Sequence, residues 1–427
     1  MKPAPIKLGY VSSEGPYRPT SPIGFLSMLK AAGTANAEKA LYYSGDQHLL
    51  TIAPTGAGKA ISAALPTLCE YPGQVIVNDP KGELYLRTAE KRRALGHRVV
   101  LLDPFHIIPR ARRDSFNLLD ICYLRKEDMF AECQTLANNL SEGGSTDERY
   151  WDDNARNLIS GLLGLLTHQS KAKRKRATVP DLLRTLFVED LAFTIATQLD
   201  QDRNVPEHVR QAFSSYFAAP SDRTRPCIDN TAQGYLQIFK SPGILESLGK
   251  STFDLQDIID GKPITVYIVM PPDKMDSHRV LMVQWLHALF TAITTRKKLP
   301  KEPTLFLLDE TATLGKFPML STFIAICRGF GVRVWTFWQE LAQLHTFYPA
   351  QARTIIGNCG VIQLFGTRLY SSARDLHQLT GIPMHMILNC PNDRQNIILD
   401  GAEYLHIRKL NFLLDYPSEG EGIPPAA

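Results

Sequence analysis

The stretch that most constrains this chain is His48 to Glu83, HLLTIAPTGAGKAISAALPTLCEYPGQVIVNDPKGE. An apolar run, Leu49 to Ala53, meets a tight turn, Pro54-Thr55-Gly56-Ala57-Gly58-Lys59. An Ala-rich segment follows, then a second apolar run, Val75 to Val77, just before Asp79. Strand, glycine turn, helix and strand in that order are the parts of a phosphate-binding loop. Gly56 and Gly58 let the backbone turn with its N–H groups inward, and the helix N-terminus adds positive potential, so the turn favours an anion. Lys59 would set its ammonium on the β- and γ-phosphates of a nucleotide. Pro54, Thr55, Gly56, Ala57, Gly58, Lys59 and Ala60 are therefore the candidate nucleotide contacts.

Two positions depart from the full pattern. Ala53 stands where the motif has Gly, which is harmless if its backbone angles are ordinary. Ala60 stands where a Ser or Thr hydroxyl would meet Mg²⁺, so a metal here needs other ligands. Read alone, the turn also fits an ordinary glycine-containing strand–helix loop.

Three short apolar runs with helical segments between them fill the first 105 residues: Leu49 to Ala53, Val75 to Val77 and Val99 to Leu102. That alternation argues an α/β fold with a parallel sheet. Residues 1–40, with several Pro and Gly, read as a loosely structured lead-in. From 117 to 261 the signals are helical. Ser145-Thr146-Asp147-Glu148 reads as a capping box, and Trp151, Ala155, Leu158, Leu162 and Leu165 recur at helical spacing, as core positions of a bundle do. The α/β pattern resumes at Ile264. The expected division is 41–116 with 262–415 as the α/β domain, 117–261 as an inserted all-α domain, and 416–427 as a flexible tail.

The run Thr304 to Leu308 ends in Asp309-Glu310, the complement that a phosphate loop predicts. Asp309 is the candidate Mg²⁺ ligand, directly or through water. Glu310 is the candidate group to orient or polarise an attacking water. Both would otherwise simply cap the next helix. Arg328 reads on spacing alone as a helix-end arginine satisfying carbonyls, with a γ-phosphate of a neighbouring subunit as the alternative target. Gln339 closes the aromatic strand Val332 to Trp338, either as a turn residue or as a γ-phosphate sensor.

Composition narrows the field further. Net charge is +4 with 44% hydrophobic and 21% charged residues, which suits a full globular core and permits an anionic partner without requiring one. The seven cysteines form no C-x-x-C pair, so free thiols of a reducing compartment are expected rather than zinc or disulfides. No stretch reaches the length of a membrane-spanning helix, and cytoplasmic residence is expected. Lys171 to Arg176, KAKRKR, and Arg110, Arg112 and Arg113 are basic clusters. Each suits a solvated loop or a nucleic-acid backbone contact.

Together these pieces resemble the coupling proteins of type IV secretion systems, the P-loop ATPases of conjugative DNA transfer. The resemblance rests on APTGAGK, on DPKGE at Asp79 to Glu83 and on LGHRVVLLDPF at Leu95 to Phe105. It continues with YWDDNARNLISGLL at Tyr150 to Leu163, FDLQDIIDGKPITVYIVMPP at Phe253 to Pro272, LFLLDETATLG at Leu305 to Gly315 and CRGFGVRVWTFWQELAQL at Cys327 to Leu344. It implies a RecA-like motor domain with an inserted all-α domain, working as a hexameric ring that spends ATP with Mg²⁺. The implied partners are single-stranded DNA with its relaxase, or protein substrates, and the channel components of the secretion system. Carried over by position, it makes Lys59 the loop lysine, Asp309 and Glu310 the acidic pair, Arg328 the arginine given in trans and Gln339 the sensor. Members commonly begin with membrane-spanning helices, and none is visible here. The expected location is therefore the cytoplasm, peripherally at the inner face of the membrane. A small residue after the loop lysine is familiar in the family. Two other readings stay open: a substrate receptor or adaptor without motor activity, and a double-stranded DNA translocase.

Overall fold

The structure is a computed structural model that describes residues 3–11, 38–125, 128–140, 149–173, 175–401 and 404–416. Eleven strands form one mixed sheet: β1 (Ile6–Val11), β2 (Lys39–Tyr43), β3 (His48–Ile52), β4 (Val75–Asn78), β5 (Arg98–Leu102), β6 (Ile264–Ile268), β7 (Thr304–Leu308), β8 (Val332–Trp338), β9 (Cys359–Leu364), β10 (Arg394–Leu399) and β11 (Tyr404–Arg408). Their order is β2-β1-β11-β10-β9-β3-β8-β7-β4-β6-β5. From β9 through β6 the pairs are parallel, whereas β10, β11, β1 and β2 add an antiparallel flank.

Every residue of β3, β4, β6, β7 and β8 is buried. That explains their continuous apolar runs: a parallel strand covered on both faces has no polar side to alternate. The parallel register carries the C-terminal ends of β3, β4, β7 and β8 to one edge of the sheet. In open α/β sheets that edge holds the ligand.

The chain divides into two compact units, Met1–Val100 with Asp260–Pro272 and Arg296–Ala427, and Leu101–Ile259 with Asp273–Thr295. The second unit starts earlier than 117 and takes in most of the helix Pro272–Thr294. The reason lies in that helix's side chains. Trp285 Nε1 donates to Phe116 O at 3.1 Å, and Gln284 Nε2 donates to Asn139 O. Between β5 and β6 the described elements are all helical. In the helix Arg149–Lys173, Ala155, Leu158, Leu162 and Leu165 are buried as their spacing predicts, whereas Trp151 is half-buried beside Tyr150.

The lead-in expected over residues 1–40 is corrected in part. Ile6–Val11 is a strand, with Ile6, Leu8 and Val11 buried, and Lys39–Tyr43 pairs with it. The apolar residues of IKLGYV are interrupted by Lys7 and Gly9, so they form no unbroken run like those of the parallel strands, and Pro3 and Pro5 stand beside them. The Ser145–Glu148 capping box and the tail from 417 lie outside the described residues.

Candidate functional site

β3 delivers the glycine turn. Ala53 is buried, its N–H donates to Trp338 O at 2.8 Å, and its backbone stays out of the left-handed region, so a Cβ is tolerated there. Gly56 and Gly58 take φ of 78° and 83°, a conformation that disfavours other residues. Ala57 N–H donates to Pro54 O at 3.0 Å and Ser62 N–H to Gly58 O at 2.8 Å. The chain then enters a π-helical turn, Ala60–Ala64, that runs into the helix Leu65–Glu70. π-turns of this kind are rare and concentrate at functional sites.

Two strands away, β7 ends in the acidic pair. Lys59 Nζ donates to Glu310 Oε1 at 3.0 Å and lies 3.6 Å from Asp309 Oδ1. Glu310 has φ 52° and ψ 56°, left-handed angles that cost a side-chain-bearing residue about 1–2 kcal/mol. Neighbours hold it there. Thr313 donates to Glu310 O from both its amide and its hydroxyl, and the buried Thr311 hydroxyl donates to Leu308 O and accepts from Phe337 N–H. Asn78 Nδ2, at the end of β4, donates to Asp309 O at 2.8 Å.

β8 lies between β3 and β7, so its end falls between the loop and the acidic pair. Gln339 sits there, its amide held by Gln343 Oε1 and its own Oε1 accepting from the Thr55 hydroxyl at 3.3 Å. Lys59, Asp309, Glu310 and Gln339 thus converge. Arg328 does not join them. It precedes the N-terminal end of β8, is exposed, and pairs with Asp46 at 3.1 Å ahead of β3, on the opposite edge of the sheet.

Asp79 of the DPKGE segment is fully buried. It accepts from Tyr85 N–H at 2.8 Å at the start of the helix Glu83–Ala94. Burial raises its pKa to about 7, with the Asp309 charge adding to the rise and the amides of Tyr85 and Leu84 opposing it. Lys81 is exposed. Burial also raises the Asp309 carboxyl above its ordinary range, against the pull of Lys59. Sequence reasoning missed Asn78, Thr311 and a further lysine, Lys409, whose ammonium reaches the loop. Asn78 does precede DPKGE, but no spacing rule points to the other two.

The site suits a magnesium ion. Asp309 Oδ1 is buried with no hydrogen-bond partner and only the 3.6 Å ion-pair contact to Lys59. An orphaned hard oxygen beside a phosphate loop is what Mg²⁺ takes. No cluster of three or more His, Cys, Asp or Glu able to hold a metal exists among the described residues. Among the described residues Asp309 is therefore the carboxylate that would hold the ion, without a cluster of further acidic ligands.

The basic clusters are partly engaged. Arg176 donates to Asp120 Oδ1 at 3.0 Å and lies 5.2 Å over the Tyr123 ring. Arg113 donates to Ile108 O and pairs with Asp103. No disulfide joins any of the seven cysteines. Among the described residues no helix is long and apolar enough to cross a membrane.

Comparison with known proteins gives the family and the fold. The family described as type IV secretory system, conjugative DNA transfer, matches residues 20–382. The conjugal transfer protein TraG of Escherichia coli is 25% identical over 80% of this chain and 56% of its own length. Protein VirD4 of Agrobacterium fabrum is 28% identical over 74% of this chain and 47% of its own. The chain thus spans about half the length of the curated relatives it matches. Among solved structures, the bacterial conjugative coupling protein TrwBdeltaN70 superposes with a TM-score of 0.64 at 16% identity, covering 85% of each chain. TrwB has also been solved with ADP and Mg²⁺, at a TM-score of 0.63. At that identity the likeness speaks to the fold, a RecA-like P-loop α/β architecture. The match across most of the sequence settles the family: this chain belongs to the type IV secretory conjugative DNA transfer proteins.

Proposed function

We propose that this chain is the ATP-driven motor of a coupling protein, recruiting single-stranded DNA with its relaxase, or protein substrates, to a type IV secretion channel. The observation that carries it is the Lys59 ammonium, held 3.0 Å from Glu310 and 3.6 Å from Asp309 beside the glycine turn. A lysine poised between phosphates and a carboxylate pair is the arrangement that phosphoryl transfer to water uses.

In this reading the backbone N–H groups of the loop after Pro54 cradle the phosphates and Lys59 leaves the carboxylates to meet them. Asp309 would hold Mg²⁺, which would supply neutralising charge to the phosphates. Glu310 takes hydrogen bonding from the attacking water, aimed by its left-handed backbone. Gln339 reports the γ-phosphate to the loop through Thr55. Arg328 is too far round the sheet to serve its own chain's site, so it acts on the site of a neighbour in a homo-hexameric ring. The helices between β5 and β6 form the inserted all-α domain. The protein works peripherally at the inner face of the cytoplasmic membrane. The Ala60 methyl, with no oxygen for the metal, is what favours the second reading, a nucleotide-binding receptor or adaptor without motor action.

The test is Mg²⁺-dependent ATP hydrolysis over a protein concentration series, with single-stranded DNA, with duplex DNA and with neither. Turnover that rises more than linearly with protein, is stimulated by single strands and is lost in Arg328→Ala supports the ring motor. Hydrolysis absent throughout, with DNA binding intact, sinks it in favour of the adaptor. Stimulation by duplex alone would make it a double-stranded DNA translocase.

A further inference from the structure

Lys409 belongs to no motif, yet its ammonium is built into the phosphate loop. It follows β11, and its own N–H donates to Asp393 O at 2.8 Å. The residue is 5% exposed. Its Nζ donates to the Ala57 carbonyl at 2.8 Å and stands 4.5 Å from the centre of the Phe365 ring. Burial lowers its pKa, while Cys390 and Asp393 raise it.

Ala57 sits between the two glycines at positive φ, where the backbone on either side is conformationally permissive. In a planar trans peptide the carbonyl and the following N–H point to opposite sides. Holding Ala57 O toward Lys409 therefore turns the Gly58 N–H away from Lys409. Among the described residues nothing accepts from that N–H.

The segment that carries Lys409 is anchored on both sides. Arg408 pairs with Glu38 at 2.6 Å and Asp415 at 3.6 Å, and lies 4.1 Å over Tyr10. Asn411 N–H donates to Asp415 Oδ2 at 2.7 Å. The Tyr416 hydroxyl donates to Glu70, which ends the helix fed by the loop. Residues 409–416 thus lie as a strap from the phosphate turn to the far end of its helix.

We propose that Lys409 is a positioning residue for nucleotide binding: its bond to the Ala57 carbonyl sets the 57–58 peptide so that the Gly58 N–H faces a bound phosphate. This rests on the nucleotide reading above. Lys409 acts on whatever phosphate the loop amides hold, so ADP and ATP should feel its loss alike. Lys59, by contrast, also meets the γ-phosphate.

The experiment is calorimetric titration of MgADP and MgATP into the full chain as wild type, Lys409→Met and Lys409→Gln, with thermal melts of each. Met keeps the stem and loses the donor, whereas Gln keeps an N–H donor without charge. The Met variant should bind both nucleotides about tenfold to a hundredfold more weakly, as loss of one charge-assisted hydrogen bond implies. Gln should fall between Met and wild type, and hydrolysis should show a raised KM with kcat kept. Affinities of the Met variant within about twofold of wild type, a difference below one ordinary hydrogen bond, overturn the proposal. Equal losses in Met and Gln that track a lowered Tm also overturn it, because packing alone then explains them. If the wild type binds neither nucleotide, the nucleotide reading falls and this proposal with it. If the wild type binds and the Met variant binds equally, only this proposal falls.

Discussion

Glu310→Gln should move binding and turnover in opposite directions. Glu310 holds Lys59 at 3.0 Å, so a phosphate that binds the lysine competes with it. Two unit charges at that distance attract by about 1 kcal/mol in bulk water and about 5 kcal/mol at an effective dielectric near 20. The side chains are 16% and 24% exposed. Desolvation and side-chain ordering offset most of the attraction, leaving about 1 kcal/mol net. Gln removes the charge while keeping the shape and the left-handed backbone, and Asp309 remains 3.6 Å away to hold Lys59 loosely. MgATP affinity should therefore tighten by about fivefold, the equivalent of 1 kcal/mol.

Turnover should fall at the same time. A positioned general base contributes about 10² to 10⁴ in rate, and the amide oxygen of Gln is a far weaker base than a carboxylate. The assay is calorimetric MgATP binding beside single-turnover hydrolysis of radiolabelled ATP, both on the intact chain. Hydrolysis at the wild-type rate refutes the role given to Glu310. Lost turnover together with tenfold weaker binding refutes it differently, since Glu310 would then help to hold the nucleotide rather than compete for Lys59.

Two further outcomes follow from buried titrating groups. Asp79 has a folded pKa of about 7, raised from 3.8. Its neutral form stabilises the fold, and that contribution is complete below pH 3.8 and lost as pH climbs through 7. Asp79→Asn should therefore gain on wild type as pH rises. In urea melts its advantage should be about 2 kcal/mol greater at pH 8.5 than at pH 5.5, at 1.36 kcal/mol per pKa unit; an advantage independent of pH refutes the assignment. His48 is held neutral at a pKa of about 4, lowered by burial. Its Nδ1 accepts from Val334 N–H and its Nε2 donates to Ile324 O, so a second ring proton would break a strand contact. Stability should fall as pH drops from 6.5 toward 4, and the His48 ring resonances should stay unshifted at pH 6. A midpoint near 6.5 in an NMR titration would contradict this.

Most of the candidate site is legible in the sequence, for a physical reason. In a parallel sheet the residues that do chemistry lie just past the ends of fully buried strands, and such strands are visible as short unbroken apolar runs. Lys59, Asp309, Glu310 and Gln339 each follow one. What could not be read is what sheet order brings together from afar. β1 is six residues long and pairs with β11 through Tyr10 and Arg408, a partnership that no local pattern carries. Arg328 shows the same limit from the other side. Its position before β8 looks like that of any helix-end arginine, and only the sheet shows it on the edge away from the loop, beside Asp46. Lys409 is the sharpest case. It stands 352 positions from Ala57, and its contact exists only because β9, β10 and β11 stack in order beside β3. The antiparallel flank thus does more than extend the sheet: it carries a cation back to the turn at which the parallel core begins. A loop whose conformation depends on that flank can be loosened or tightened by whatever moves residues 409–416, with no change in the loop's own sequence.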